Sequence, residues 1–320
     1  MTKFTIAIPC YKDKFLDETI DSILNQSFQD FEIVIVNDAS PFNIDAIIAK
    51  YNDPRIKYFR NETNCGAINV VDNWNKCLSY ATGEYIICMG DDDKLLPTCL
   101  EEYVKLIELY PGLGVYHTWT EIIDENSNII RMQEARPLYE GVYSMMWGRW
   151  NGRTQFIGDF LFERKLLMNN GGFYKLPLAW ASDDISAYIA ARKNGIANMQ
   201  VPGFQYRANS QSISRTGDAA VKLNAIMNEE LWYKHFLVIA PGSVCIAEQT
   251  YYKMLTADLK KVIVRKKVHT IAQSMTENGL ISAFSFWKKR KTFGLDTKLI
   301  IYAMIEAVKR KQVKSNNKTI

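Results

Sequence analysis

The sequence predicts an α/β fold, a mostly parallel sheet flanked by helices, with a C-terminal helical appendage. Three observations carry that expectation. Strand-like and helix-like patterns alternate through the first 120 residues, which implies a parallel sheet covered by helices. The apolar run Tyr85-Ile86-Ile87-Cys88-Met89, with Gly83 before it and Gly90 after, reads as a buried strand ending in three consecutive carboxylates, Asp91, Asp92 and Asp93. Residues 216–320 are mostly helical in pattern and become basic toward the end.

The elements follow in order. Residues 4–8 alternate as a strand and stop at Pro9. Residues 17–24 have helical spacing, with Leu16, Ile20, Ile23 and Leu24 on one face and Asp17 and Glu18 in the first turn. A second strand covers 31–36, apolar except for Glu32, and a helix over 44–51 is ended by Asp53-Pro54. Residues 56–59 form a short third strand, 67–80 a helix and 84–89 the fourth strand. A helix over 97–110 has Pro97 near its first turn, and 113–120 make a fifth strand. Residues 121–153 read as loop-rich with strand-like patches and the aromatics Tyr139, Tyr143, Trp147 and Trp150, which either frame a pocket or pack on the sheet. No internal repeat is evident.

Composition narrows the function. The 320 residues are 48% hydrophobic and 23% charged, as in a globular chain of one large domain or two unequal ones. The start shows no signal-peptide pattern, and no apolar run approaches the roughly 20 residues that span a bilayer. The six cysteines form no C-x-x-C pair, which suits small buried hydrophobes in a reducing cytoplasm. The three histidines are far apart, so a zinc site is not expected. The net charge of +4 conceals an asymmetry: residues 285–320 carry ten Lys/Arg against two Asp/Glu, a net +8, which leaves −4 for the rest. Such an end suits a negatively charged surface, membrane or nucleic acid.

In open α/β sheets ligands sit beyond the carboxyl ends of the strands. The residues following the four strands are Pro9-Cys10-Tyr11, Asn37-Asp38, Arg60-Asn61 and Asp91-Asp92-Asp93. Parallel strands place all four groups along one edge. Each alone also fits a polar loop, and the acidic run alone also fits a solvated turn. Together they supply an aromatic face near Tyr11, an acceptor for a base N–H at Asp38, a guanidinium and an acidic cluster. That set suits a nucleoside diphosphate with a hard divalent cation, which takes oxygen ligands from one or two carboxylates and from phosphates.

These residues resemble the family 2 inverting glycosyltransferases of the GT-A fold. The resemblance starts with Ile6-Ala7-Ile8-Pro9-Cys10-Tyr11 and continues through residues 16–27 and 31–40, then Asn64-Cys65-Gly66 and Ala81-Thr82-Gly83-Glu84-Tyr85-Ile86. It is good over 3–120, fair to about 215 and poor beyond. It implies a GT-A-like catalytic domain over 1–215, with 1–120 holding the nucleotide sugar and 121–215 the acceptor, and a helical, basic region over 216–320. It implies a nucleotide-sugar donor, with uridine as the base, and Mn²⁺ or Mg²⁺ as cofactor. Nucleotide contacts fall on Pro9, Tyr11, Asp38, Arg60, Asn64 and Asp91, and metal contacts on Asp92 and Asp93. The first aspartate of the commoner Asp-x-Asp-Asp form would fall on Gly90, where it is absent.

A second family signature, an acidic pair opening a helix, matches Ser182-Asp183-Asp184 before Ile185-Ser186-Ala187-Tyr188. Ser182 is a candidate N-cap with both carboxylates in the first turn. The apolar pattern of the helix favours Asp184 as the catalytic base, with Asp183 as the alternative; simple capping is the bland reading. Trp180 and Arg207 are candidates for the diphosphate or acceptor, since guanidinium suits phosphate bidentately. Arg207 alternatively only bridges loop carboxylates. Its segment Tyr206-Arg207-Ala208-Asn209-Ser210-Gln211-Ser212-Ile213-Ser214 resembles the family's Tyr-Arg-x-His-x-x-Ser-x-Ser, with Asn209 in place of His.

The resemblance implies inverting, metal-dependent hexosyl transfer to a sugar hydroxyl on an oligosaccharide or lipid-linked acceptor, in bacterial cell-surface polysaccharide assembly. The basic groups around residues 299–308, a stretch too short to span a bilayer, suit an anionic membrane surface; a helix packed on its own domain with a solvated basic tail is the plainer alternative. The expected setting is cytoplasmic, on the inner face of the membrane. Competing readings are a nucleotide-sugar-binding protein without transfer activity and a sugar-phosphate nucleotidyltransferase. The latter wants a Gly-rich basic loop where this chain has Pro-Cys-Tyr-Lys-Asp. A dinucleotide enzyme wants G-x-G-x-x-G there. The acidic edge speaks against nucleic acid as partner.

Overall fold

The computed structural model describes residues 2–209, 218–240, 242, 245–279 and 281–316. The chain divides into two compact units, Met1–Arg215 and Thr216–Ile320.

The first unit begins with β1 (Phe4–Cys10), α1 (Leu16–Leu24), β2 (Phe31–Asn37), α2 (Ile44–Ile48), β3 (Ile56–Arg60), α3 (Val70–Tyr80) and β4 (Tyr85–Cys88). It continues with β5 (Lys94–Leu95), α4 (Cys99–Leu109), β6 (Val115–Ile123), β7 (Ile129–Met132), β8 (Tyr139–Glu140) and α5 (Val142–Trp150). It ends with β9 (Phe160–Glu163), α6 (Arg164–Asn169), α7 (Ser182–Ala191) and β10 (Ile196–Arg207). One sheet runs β3-β2-β1-β4-β9-β6-β10-β5, with β7 on β6 and β8 on β10.

The alternating pattern of the first 120 residues produces the expected parallel core. β1 pairs in parallel with β2 and β4, and β2 with β3. Every residue of β2 is buried, as in a sheet covered on both faces, where hydrophobic runs replace alternation. α1 turns Leu16, Ile20 and Ile23 inward, where they join Phe4, Ile6, Ile33, Ile87 and Tyr103 in one core cluster. The register sets Cys10 opposite Asn37, and Asn37 opposite Arg60. The carboxyl ends of these strands therefore form one continuous edge.

Several boundaries differ from the sequence reading. β9 is antiparallel to both β4 and β6, so the fifth strand keeps the direction of β4 without touching it. Residues 67–80 divide into a 3-10 turn, Ala67–Asn69, and α3. The helix after Asn43 stops at Ile48. The loop-rich stretch contains α5, whose Val142, Tyr143, Met145, Met146 and Trp150 are all buried. An element buried on several sides has no clean period to read.

The second unit is helical: α8 (Ala219–Val238), α9 (Ile246–Asn278), α10 (Ser282–Lys288) and α11 (Thr297–Asn316). Asp218 caps α8, accepting from the Ala220 and Val221 N–H at 2.8 and 3.0 Å. Leu223, Ile271, Met275, Phe286, Phe293, Leu299 and Ala303 belong to its core. Among the described residues no helix is long and apolar enough to cross a membrane.

Candidate active site

The strand-end edge is knitted by short backbone contacts. The N–H groups of Tyr11 and Lys12 both donate to Asp91 Oδ2 at 2.6 Å. The Asp38 N–H donates to the Cys10 carbonyl at 2.8 Å. Asp38 Oδ1 accepts from Asn61 Nδ2 at 2.8 Å and from the Cys65 N–H at 2.9 Å. The tips of β1, β2 and β4 thus lie side by side, with Tyr11, Asp38 and Asp91 on them. The Tyr11 ring is exposed and meets Phe42 edge-on, 6.3 Å between centroids. Pro9 is the penultimate residue of β1. Arg60 reaches the same edge but is paired with Asp45 at 2.5 Å. Asn64 Oδ1 accepts from the Gly66 N–H within its own loop.

The three aspartates point three ways. Asp91 is buried against the loop after β1. Asp93, expected beside a cation, is turned inward: it is 5% exposed and accepts from the Arg207 N–H at 2.9 Å and the Gly90 N–H at 3.2 Å. Asp92 alone keeps a partly open carboxylate, which accepts from Asn209 Nδ2 and lies 3.7 Å from Lys12 Nζ. Burial raises all three carboxyls; for Asp91 burial and the Asp92 charge lift it to about 6 against the two donated N–H bonds.

Among the described residues no three His, Cys, Asp or Glu side chains converge on a point that would hold a metal. Asp92, the partly open carboxylate of the run, is the residue that could hold a hard cation together with donor phosphates. An aspartate at position 90 would require the carboxylates of Asp92 and Asp93 to shift. A Cβ on Gly90 would lie 2.9 Å from both Asp92 Oδ1 and Asp93 Oδ2.

Arg207, a candidate for the diphosphate or acceptor and alternatively a bridge between loop carboxylates, makes bridging contacts here. Its side chain is buried and its donors are already engaged: Nε to the Asp92 carbonyl at 2.8 Å, Nη1 to Ser127 Oγ at 3.0 Å, Nη2 to Glu18 Oε2 at 2.9 Å. The guanidinium also lies 4.0 Å from the Phe15 ring centroid. Arg207 binds the acidic run to neighbouring loops. Ser212 and Ser214 of the same sequence motif lie outside the described residues.

A second constellation surrounds α7. Leu178, Ala179 and Ala181 all have positive φ, at 62°, 51° and 60°, a conformation that costs non-glycine residues free energy and clusters at functional sites. Partly buried Trp180 sits within this turn. Ser182 is not the N-cap; that position is Ala181, and the Ser182 hydroxyl instead accepts from the Leu176 N–H at 3.1 Å.

Asp184 is 1% exposed, with both oxygens 3.0 Å from Arg149 Nε and Oδ1 2.6 Å from Gln155 Nε2. Gln155 Oε1 accepts from Arg136 Nη2 at 3.0 Å, which fixes the amide with its NH₂ toward Asp184. Asp183 is partly exposed. Burial and the adjacent Asp184 charge raise its carboxyl to about 7, with Arg149 opposing. Arg149 is itself pushed well up: burial opposes its charge, but Asp184 and Asp183 outweigh burial.

Arg149 and Gln155 are the site residues that the sequence did not point to. Both lie in or beside the segment read as loop, and only the coordinates bring them to the acidic pair. Gln155 is held in place from its own loop: Asp159 Oδ2 accepts from the Phe156 N–H at 3.0 Å and from Gln133 Nε2 at 2.9 Å. Phe156 stacks on Tyr206 at 3.9 Å, tying this loop to β10.

Comparison with known proteins bears on the family and the fold. A family model described as glycosyl transferase family 2 matches residues 5–173. An uncharacterized glycosyltransferase of Methanocaldococcus jannaschii is 38% identical over 123 residues, 37% of this chain and 41% of that protein. The GalNAc(5)-diNAcBac-PP-undecaprenol beta-1,3-glucosyltransferase of Campylobacter jejuni is 34% identical over 183 residues, 54% and 57% of the two chains. The chain thus spans about half the length of these relatives. The crystal structure of S. aureus TarS 1-349 in complex with UDP-GlcNAc superposes with a TM-score of 0.57 over 99% of this chain and 92% of that one, at 17% identity, a likeness of fold.

Proposed function

Because the chain belongs to glycosyl transferase family 2, we propose that it moves a sugar, with inversion, from a nucleoside-diphosphate sugar to a hydroxyl of a polysaccharide or lipid-linked acceptor. The observation that carries this reading is the strand register, which puts Tyr11, Asp38 and Asp91 on one edge. Residues 1–120 hold the donor and 121–215 present the acceptor. The base stacks near Tyr11, and Asp38 accepts from a base N–H. Uridine is the first base to test, a choice supported by the UDP-GlcNAc of the TarS neighbour. The lipid-linked acceptor named for the Campylobacter relative supports that acceptor class.

Asp183 takes the proton of the acceptor hydroxyl as its oxygen attacks the anomeric carbon. The new C–O bond forms on one face while the bond to the diphosphate oxygen breaks on the other, and the nucleoside diphosphate leaves with that electron pair. No covalent enzyme intermediate is needed. Arg149 and Gln155 hold the Asp184 carboxylate in place beside Asp183. Asp92 is the residue to hold Mn²⁺ or Mg²⁺, which when bound neutralises charge on the departing diphosphate. Asp91 holds the Tyr11–Lys12 backbone in place beneath the nucleotide.

A thermal-shift panel of nucleotide sugars with Mn²⁺, followed by an assay of nucleotide release with and without saccharide acceptors, tests the proposal. Stabilisation by one donor and acceptor-dependent release are expected. Donor binding with no transfer to any acceptor would favour the binding-protein reading. Release of pyrophosphate from a nucleoside triphosphate would favour the nucleotidyltransferase.

A further inference from the structure

The last two helices of the second unit leave apolar side chains uncovered beside exposed cations. Helix α11 is apolar on opposite sides. Leu299, Ile300, Ala303 and Ala307 face its own core. Ile301, Tyr302, Ile305 and Val308, spaced as one helical stripe, are 49%, 60%, 48% and 40% exposed. Lys298 and Lys309 are exposed on the same stripe, at 298-301-302-305-308-309. A helix of a globular protein normally shows water a polar face, and contiguous apolar exposure marks an interaction surface.

Helix α10 repeats the arrangement. Phe286 is buried in the core, while Phe284 and Trp287 are exposed and stacked, with planes 10° apart. Lys288 Nζ lies 4.6 Å from the Phe284 ring centroid and the Arg290 guanidinium 4.4 Å from that of Trp287. Ile281, just before the helix, is 90% exposed.

We propose that α10 and α11 form the docking surface for an anionic lipid membrane. The charge decides between a lipid and a protein occupant. Residues 285–320 carry ten Lys/Arg and two Asp/Glu, and lysines and arginines keep their heads in water while their stems follow apolar surface. Trp and Tyr belong at the headgroup level of a bilayer. Neither helix spans the membrane; each lies in the interface with its apolar side chains inserted. The inference rests on the lipid-linked acceptor reading for its purpose, because it brings the enzyme to such a substrate, but its test needs no turnover.

The full chain is mixed with vesicles of phosphatidylcholine alone or with about 30% phosphatidylglycerol, which gives the surface a negative potential, and sedimented at about 0.15 M salt. Retention on the anionic vesicles only is expected. I301S/I305S and K288E/R290E are each expected to lower it by about tenfold or more. Both variants should keep the wild-type thermal midpoint and nucleotide-sugar binding. Equal retention on neutral vesicles, no retention on either, or unchanged retention of both folded variants would overturn the proposal. So would a self-association of the wild type that I301S/I305S abolishes without any vesicle binding. None of these outcomes bears on sugar transfer, so failure here leaves the transferase reading standing.

Discussion

Both carboxylate oxygens of Asp184 lie 3.0 Å from Arg149 Nε, and this contact separates the roles of two adjacent aspartates. A general base must reach the proton it removes and hold a pKa near the working pH. Asp184 is enclosed and shared between Arg149 and Gln155. Asp183 is the partly exposed member, poised near neutrality. Asp183→Asn is expected to cut kcat by roughly 10²-fold or more while leaving donor binding nearly intact. Asp184→Asn removes the carboxylate bonded to Arg149 and should lower Tm as well as activity. Steady-state kinetics with thermal melts on both variants decides. Full stability with lost turnover in Asp184→Asn, beside an active Asp183→Asn, would return the base to Asp184.

The pH profile follows from the same geometry. The groups facing Asp183 are Asp184 on its own helix, Arg149 on α5 and Asp159 before β9. The base works ionised, so kcat/KM should climb with pH through about 7 and level off above it. Arg149→Met removes an opposing cation and should move this limb to higher pH, on the order of one unit. Asp184→Asn removes a like charge and should move it lower. Arg149→Lys keeps the cation and should leave the limb close to wild type. A limb that stays put in Arg149→Met while activity falls would make Arg149 merely structural.

The legible part of this protein was whatever lies close together in sequence. The parallel core over residues 4–89 followed from apolar runs stopped by Pro, Gly and Asp, because a buried parallel strand has no polar face to confuse the pattern. The strand-tip residues Tyr11, Asp38 and Asp91 followed from topology alone. What escaped was side-chain direction. Three neighbouring aspartates look equivalent in sequence, yet Asp93 turns to the Arg207 backbone and Asp92 outward. For Arg207 the sequence leaves the diphosphate and a bridge between loop carboxylates both open, because nothing local reveals that Glu18 and Ser127 engage it. β9 also escaped, since its four residues pair only with strands distant in sequence.

Glu32, the carboxylate of the fully buried strand β2, makes a stability prediction. It is 4% exposed and accepts from Thr5 Oγ1 at 2.6 Å, Lys57 Nζ at 2.5 Å and the Thr82 N–H at 2.5 Å. Burial alone would raise its carboxyl; Lys57, Thr5 and Thr82 outweigh burial and hold it at about 2, against 4.5 for an ordinary glutamate. A depressed carboxyl contributes stability that is present above pH 4.5 and lost as pH falls toward 2. Glu32→Gln should cost about 1–3 kcal/mol at pH 7, and its melting curve should converge on wild type as pH drops. A constant gap at every pH would place the effect in packing instead of charge.

Asp92 supplies the metal prediction. Its carboxylate is the partly open one of the three, while Asp91 and Asp93 are bound to backbone N–H groups. A cation held by one carboxylate and donor phosphates binds weakly without the donor. Mn²⁺ and nucleotide sugar should therefore bind cooperatively, and Asp92→Asn should weaken nucleotide-sugar binding in Mn²⁺ while leaving binding in EDTA little changed. Asp93→Asn should act differently: it disturbs the anchor to Arg207 and lowers Tm before it touches metal dependence. Calorimetric titration of donor with and without Mn²⁺ reads both. Donor affinity and turnover indifferent to EDTA in the wild type would remove the cation from the mechanism and leave Asp92 as the partner of Asn209 and Lys12.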